Sequence, residues 1–287
     1  MSSYRQIGRR RSVGRSLIGG LLMVATVGIA VSTVGAHDFF LVPGSVPYSA
    51  GADAEILAHS SSRFPTSAGA VAVARVAKAV IVGTAGETPI TDFTIRGTSL
   101  VLRTRPQGSG QRLVGVDLVS RSARQTPAEL LRWLTLEGAA DASARIERSA
   151  ALQGLDSVTR TDAKRAKTII QVGRRGPRVF NRKLGQTIEF IPLSDPADLK
   201  PGDSLRARLE YKGTPVPGIS VHASVPAPED TTRKAEPDLH LVTNAAGIVS
   251  VPVRKRGLWL IRTIHVVEAN RGAWQTHWAS LVFQAGR

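Results

Sequence analysis

The chain contains no cysteine. No disulfide is possible, nor any metal site built on thiolates, so a bound metal would have to use histidine, carboxylate or backbone groups. Aromatic residues are scarce, 5% of 287 positions, which leaves few platforms for stacking on sugars or bases. Acids are also short, 22 against 38 lysines and arginines, giving a formal charge of +16. Nucleic-acid proteins gather such charge on one face and interleave it with aromatics. Here the arginines are dispersed, with short clusters such as Arg174-Arg175 and Arg254-Lys255-Arg256. The charge therefore reads as a solvated basic surface, and no nucleic-acid partner is expected. A Gly-x-Ser-x-Gly elbow, a phosphate loop and a His-Glu-x-x-His helix are all missing, so the protein is read as non-enzymatic.

Long apolar runs are confined to the amino terminus. Arg5, Arg9, Arg10, Arg11 and Arg15 make a basic start without acids. Ser16 to Val34 is small and apolar, and Val34-Gly35-Ala36 supplies the small residues a signal peptidase requires. This order predicts a removable leader over residues 1–36 and a processed chain starting at His37, periplasmic or secreted. The rival reading is an uncleaved anchor, since the run approaches the ~18 to 20 residues of a spanning helix. Its glycine, serine and threonine content and the cleavage site favour removal. No other segment is apolar enough to span a membrane. Removal of the leader lowers the charge to about +11.

What remains is strand-rich. Short β-type runs from Ala54 to Leu118 are separated by Gly, Pro and Ser, as in antiparallel sandwiches. Thr126-Pro127-Ala128-Glu129 is a capping box with proline at the first helical position, and it predicts a helix carrying Leu130, Leu131, Trp133, Leu134 and Leu136 up to Gly138. A weaker helix is expected over Ala140 to Leu152. Ser157 to Lys167 reads as a polar, basic connector, and Thr168 to Val172 as a returning strand. Beyond Leu184 the alternation in Leu205 to Tyr211, Gly218 to Val225, Ile248 to Val253, Gly257 to Val267 and Trp278 to Phe283 predicts an immunoglobulin-like sandwich. The expected fold is mainly β, in two sandwich-like domains. Residues 37–183 form the first, with a helical insert near 126–152, and residues 184–287 form the second.

Several segments carry a family resemblance. Ala36-His37-Asp38-Phe39-Phe40-Leu41, Arg63-Phe64-Pro65-Thr66-Ser67, Leu131-Arg132-Trp133-Leu134 with Glu137-Gly138, and Ala163-Lys164-Arg165-Ala166-Lys167 stand in order. Glu189-Phe190-Ile191-Pro192, Leu199-Lys200-Pro201-Gly202-Asp203, Gly257-Leu258-Trp259-Leu260-Ile261, His265 and Trp278 to Phe283 follow. Together they resemble the exported bacterial family known as domain of unknown function 4198, with Phe40 where tryptophan is common. That resemblance implies export, two β-rich domains and a link to transition-metal handling, because the family overlaps with periplasmic components of cobalt or nickel uptake systems.

Six histidines carry the candidate chemistry, imidazole being a ligand for nickel, copper, cobalt and zinc. Freed by cleavage, His37 would offer an α-amine and an imidazole that chelate one ion, unless the end is simply disordered. His265 shares a strand face with Trp259, Ile261, Thr263 and Val267, where a hydrogen-bonded core histidine competes with a ligand. His59 stands at a strand end before a serine-rich loop, and His277 is expected to start a strand beside Trp278. His222 and His240 flank proline-rich loops and read as solvated. The expected ligand set is His37, His265, His59 and His277, assembled across the chain. The implied activity is binding of nickel, cobalt or copper for delivery to a membrane metal transporter. The alternative is a non-enzymatic envelope scaffold or adhesion protein, since fold does not fix function.

Overall fold

The computed structural model describes residues 37–227 and 236–286. The leader read in residues 1–36 lies outside them. The first strands are β1 (Asp38–Pro43), β2 (Ala54–Ser61), β3 (Gly69–Ala70), β4 (Val76–Gly83), β5 (Gly86–Pro89), β6 (Asp92–Arg96), β7 (Ser99–Thr104), β8 (Gly110–Leu118) and β9 (Arg121–Gln125). Helices α1 (Pro127–Leu136) and α2 (Ala140–Arg148) follow. The chain continues through β10 (Val158–Val172), β11 (Ile188–Pro192), β12 (Ser204–Tyr211), β13 (Thr214–Pro215) and β14 (Ser220–Ser224). It closes with β15 (Leu239–Val242), β16 (Ile248–Pro252), β17 (Gly257–Asn270) and β18 (Ala273–Ala285). The protein is mainly β.

These strands make three sheets. The first has the order β1-β2-β7-β6, with β3 beside β2. The second and largest runs β15-β14-β17-β18-β10-β8-β4-β5, with β9 beside β10. The third joins β11-β12-β13, with β16 also on β12. Pairing is antiparallel throughout the named ladders except between β10 and β18, which run parallel from Thr159↔Ala273 to Thr168↔Val282.

Side-chain alternation explains how the large sheet holds the molecule together. One of its faces presents Val80, Val82, Leu113, Ile169, Val221, Trp259, Ile261, Leu281 and Phe283 to Phe190, Leu205, Leu209 and Val249 of the third sheet. The intervening residues point the other way. There Ile81, Val114, Val116 and Ile170 pack against Ile56, Leu100 and Leu102 of the first sheet. Leu260 and Val282 meet Phe40 and Val42 of β1. Ile264, Val266, Trp274 and Trp278 carry Leu130, Leu134, Ala142 and Ile146 of the two helices. The boundary drawn between residues 183 and 184 thus falls between β10 and β11, with the large sheet recruiting strands from both sides of it.

The helix start is as the capping box requires: Glu129 N donates to Thr126 Oγ1 and Thr126 N donates to Glu129 Oε2. Two expectations are corrected. The second helix ends at Arg148, with a separate 3-10 turn over Ala150–Leu152. Ser157 to Lys167 is no connector, because β10 is one strand from Val158 to Val172. Its charges are absorbed within the fold, which removes the apolar signature of a strand. Arg160 makes a two-pronged pair with Asp162 and lies 3.5 Å over the Trp133 ring. Lys164 lies 4.3 Å over Trp278, and Lys167 pairs with Glu189. Among the described residues, no helix is long and apolar enough to cross a membrane.

Candidate functional site

The four expected ligands fall in three places. His59 is buried on β2, with Nδ1 2.6 Å from Pro65 O and Nε2 2.8 Å from Ser99 Oγ. Both nitrogens are thus engaged, and none is left for an ion. Burial draws its pKa below the ordinary value. His37 is half-buried at the head of β1, and its carbonyl accepts a hydrogen bond from Lys164 Nζ. The histidine ring contacts among the described residues do not include it.

The structure does bring His265 and His277 together. They are direct cross-strand partners in the β17–β18 ladder and share the face that packs on the third sheet. That sheet ends at Tyr211, whose ring centroid lies 4.9 Å from that of His265 and 4.8 Å from that of His277. His277 Nε2 is 3.2 Å from both Tyr211 Oη and Gln275 Oε1. A carboxamide oxygen only accepts, so Nε2 carries the proton and Nδ1 keeps a bare lone pair. The Nδ1 atoms of His265 and His277 are both buried without a hydrogen-bond partner, and leaving such a group unmet costs about 1–3 kcal/mol. His277 lies inside β18 rather than at its start. The pairing was readable in principle: a hairpin turning at Asn270-Arg271-Gly272 sets residue 265 opposite residue 277.

Burial pushes the His277 pKa down to about 4, helped by nearby His265, Arg165 and Lys212. Burial, with Arg145 next, lowers that of His265 too. The unfolded ring titrates near 6.5 and the folded one near 4. In that interval the unfolded chain binds the extra proton, so stability is full above 6.5 and falls as the pH drops towards 4. A shift of that size corresponds to roughly 3 kcal/mol, and about 2 kcal/mol once solvent on the open side is allowed for. Between pH 7 and 4.5, metal-free wild type should therefore lose about 2 kcal/mol more than His277→Gln in urea denaturation. Equal losses would show that the ring titrates normally.

A second cluster surrounds the start of β1. Arg262 Nε lies 2.9 Å from Asp38 Oδ2, and Arg262 Nη2 lies 3.1 Å from Asp238 Oδ2. His222, beside Arg262 in the β14–β17 ladder, places Nε2 2.8 Å from Gly138 O and its ring 4.5 Å from that of His240. His222 is buried, not solvated as its loop context suggested; the flanking prolines gave no sign of the helix end that covers it. Burial, reinforced by Asp38, raises the Glu137 pKa to about 7. Glu137 therefore loses stability as the pH rises between 4.5 and 7, opposite in sign to His277. Arg262 and Lys164 make this cluster poor ground for a cation.

Both sites are nitrogen- and oxygen-based, as a chain without cysteine requires. Imidazole suits nickel, copper or zinc, while the Tyr211 hydroxyl lies at Nε2 of His277, on the other edge of that ring from its unpartnered Nδ1. Among the described residues, no group of three or more His, Asp or Glu side chains is set to hold a metal ion.

Fold and site together define a stacked-sheet β protein with a helical pair on one end. The chain belongs to the family described as Domain of unknown function (DUF4198), whose profile matches residues 34–267. No curated protein matches it. Among solved structures, a tetra-tandem repeat from the extending region of a large adhesion protein is 12% identical, with 87% of this chain and 50% of that chain covered and a TM-score of 0.23. The D0-D1 domain of intimin is 11% identical, covering 86% and 97%, with a TM-score of 0.20. FdeC, an Escherichia coli adhesin, is 14% identical, covering 88% and 64%, with a TM-score of 0.23. The chain spans half the length of the first of these.

Proposed function

We propose that this is an exported protein that binds nickel, cobalt or copper through His265 and His277 and passes the ion to a membrane transporter. The observation that carries the reading is the pair of cross-strand imidazoles beside Tyr211, each with a buried Nδ1 lacking a partner. A metal ion is one partner that an unprotonated imidazole nitrogen accepts. The end at His37 remains the second donor set, effective once cleavage frees its α-amine, which deprotonates readily on binding because its pKa is about 8. The scaffold or adhesion reading has no feature of comparable specificity behind it.

Isothermal titration of the processed protein with Ni(II), Co(II) and Cu(II) tests this. One site is expected, weakened at least about tenfold, or 1.4 kcal/mol, in both His265→Ala and His277→Ala, and unchanged in His59→Ala. Absence of binding below about 100 μM, some 5.5 kcal/mol, would end the reading. Loss in His37→Ala alone would move the site to the amino end.

A further inference from the structure

The ladder between β14 and β17 ends at Val221↔Thr263, while β18 follows β17 on to Asn270. From Ile264 onward β17 therefore has one edge that no named strand covers. An open groove of about 540 Å³ borders that edge. Its walls come from both faces of the strand. Val266 and Glu268, with Trp274 directly opposite Glu268, lie on the face under the helices. His265 and Val267 lie on the other face, towards Tyr211. The groove thus straddles the strand edge, where an extended chain can add through main-chain hydrogen bonds. Arg145 of α2 donates a long 3.4 Å bond to Val266 O, so that carbonyl is turned outward. Antiparallel alternation then turns the main-chain groups of Glu268 outward too.

Two opposite charges stand at this edge. Arg145 and Glu268 are both exposed, and neither enters a salt bridge among the described residues. Arg145 reaches the edge at Val266, two residues from Glu268, which separates the charges along the strand by about 7 Å. An extended dipeptide spans about 7 Å between its two ends, and a single amino acid about half of that. We propose that the groove binds a dipeptide with both ends free, laid antiparallel to β17 in line with β14. Its carboxylate takes the Arg145 fork through charge-assisted hydrogen bonds. Its amino group, protonated at pH 7, takes Glu268. Its peptide group bonds to the outward main chain of β17. Successive side chains of an added strand point to opposite faces. One meets Ile146 and Trp274, and the other meets Val216, Pro217 and Ile219. Trp274 Nε1, buried without a hydrogen-bond partner, is a further donor on the first of these walls. No metal ion takes part in this binding.

Isothermal titration of the metal-free processed protein with leucylleucine tests the inference. One site is expected. N-acetyl-leucylleucine, leucylleucine amide and free leucine should each bind about tenfold more weakly, which is 1.4 kcal/mol. Arg145→Ala should weaken leucylleucine about tenfold while leaving the amide, which has no carboxylate to lose, within about twofold. Glu268→Gln should weaken leucylleucine to the same degree and spare the N-acetyl form. Both side chains are exposed, so neither variant endangers folding. No binding of leucylleucine below about 100 μM, some 5.5 kcal/mol, would overturn the inference. Equal affinity for the free, blocked and shortened ligands would overturn it as well, as would variants that weaken every ligand alike. Each of these results leaves the metal reading standing.

Discussion

Lys167→Met is expected to cost about 3–5 kcal/mol of folding stability. Lys167 is 1% exposed and Glu189 4%, and their pair joins the centre of the large sheet to the first strand of the third. Lys167 Nζ also donates to Phe190 O at 3.0 Å, while Glu189 accepts from the backbone N–H groups of Leu184 and Gly185 at 3.0 and 3.1 Å. Burial pulls the Lys167 pKa below its ordinary value, and the charge of Glu189 opposes the shift. Removing the ammonium alone leaves a carboxylate shut away from water with only two amides to satisfy it. The double variant Lys167→Met/Glu189→Gln should recover part of the loss, because no charge is then shut away from water. The single amide oxygen, however, can replace only one of the two carboxylate oxygens that accept from Leu184 and Gly185. Urea denaturation followed by tryptophan fluorescence measures both. A cost under about 1 kcal/mol, the range of exposed ion pairs, would contradict the buried geometry.

The second large effect belongs to Gly138→Ala, expected to destabilise by roughly 2–5 kcal/mol. Gly138 ends α1 in a Schellman turn, with Ala139 N donating to Leu134 O at 2.8 Å and Gly138 N to Thr135 O at 3.2 Å. Its φ is +89°, and a Cβ there would stand 2.6 Å from His222 Nε2. The left-handed backbone accounts for about 1–2 kcal/mol. Forcing His222 off its bond to Gly138 O supplies the rest, about 1–3 kcal/mol by analogy with overpacked cores. In thermal melts, the penalty of Gly138→Ala in a His222→Ala background should shrink to the backbone part alone. An unchanged penalty would mean that His222 yields freely.

Local chemistry made much of this fold legible before any coordinates. Thr126, Pro127 and Glu129 announce α1 because capping involves near neighbours only. Trp259, Ile261 and His265 reveal one face of β17 because strand alternation is a property of the chain itself. What stayed hidden depends on partners distant in sequence. β10 looked like a connector because Lys164 and Lys167 find their counterparts on β18, β1 and β11. His222 looked exposed because the residues burying it lie over 80 positions earlier, at Gly138. His59 looked like a ligand until Ser99 and Pro65 were seen on its two nitrogens. His265 and His277 were each singled out, but their adjacency follows only from the hairpin register.

The parallel contact of β10 with β18 also sets an order of events. β18 is the last strand of the described chain, and its neighbour across most of that ladder was synthesised more than a hundred residues earlier. A polypeptide emerging amino end first therefore cannot close its central sheet until β18, Ala273–Ala285, is out. Until then the Thr159–Thr168 stretch of β10 is open along the edge that β18 will cover, although β9 can already pair with its other edge up to Asp162. Long-range pairing of this kind slows folding and leaves strand edges open to aggregation. A chain truncated before Ala273 would never complete that sheet.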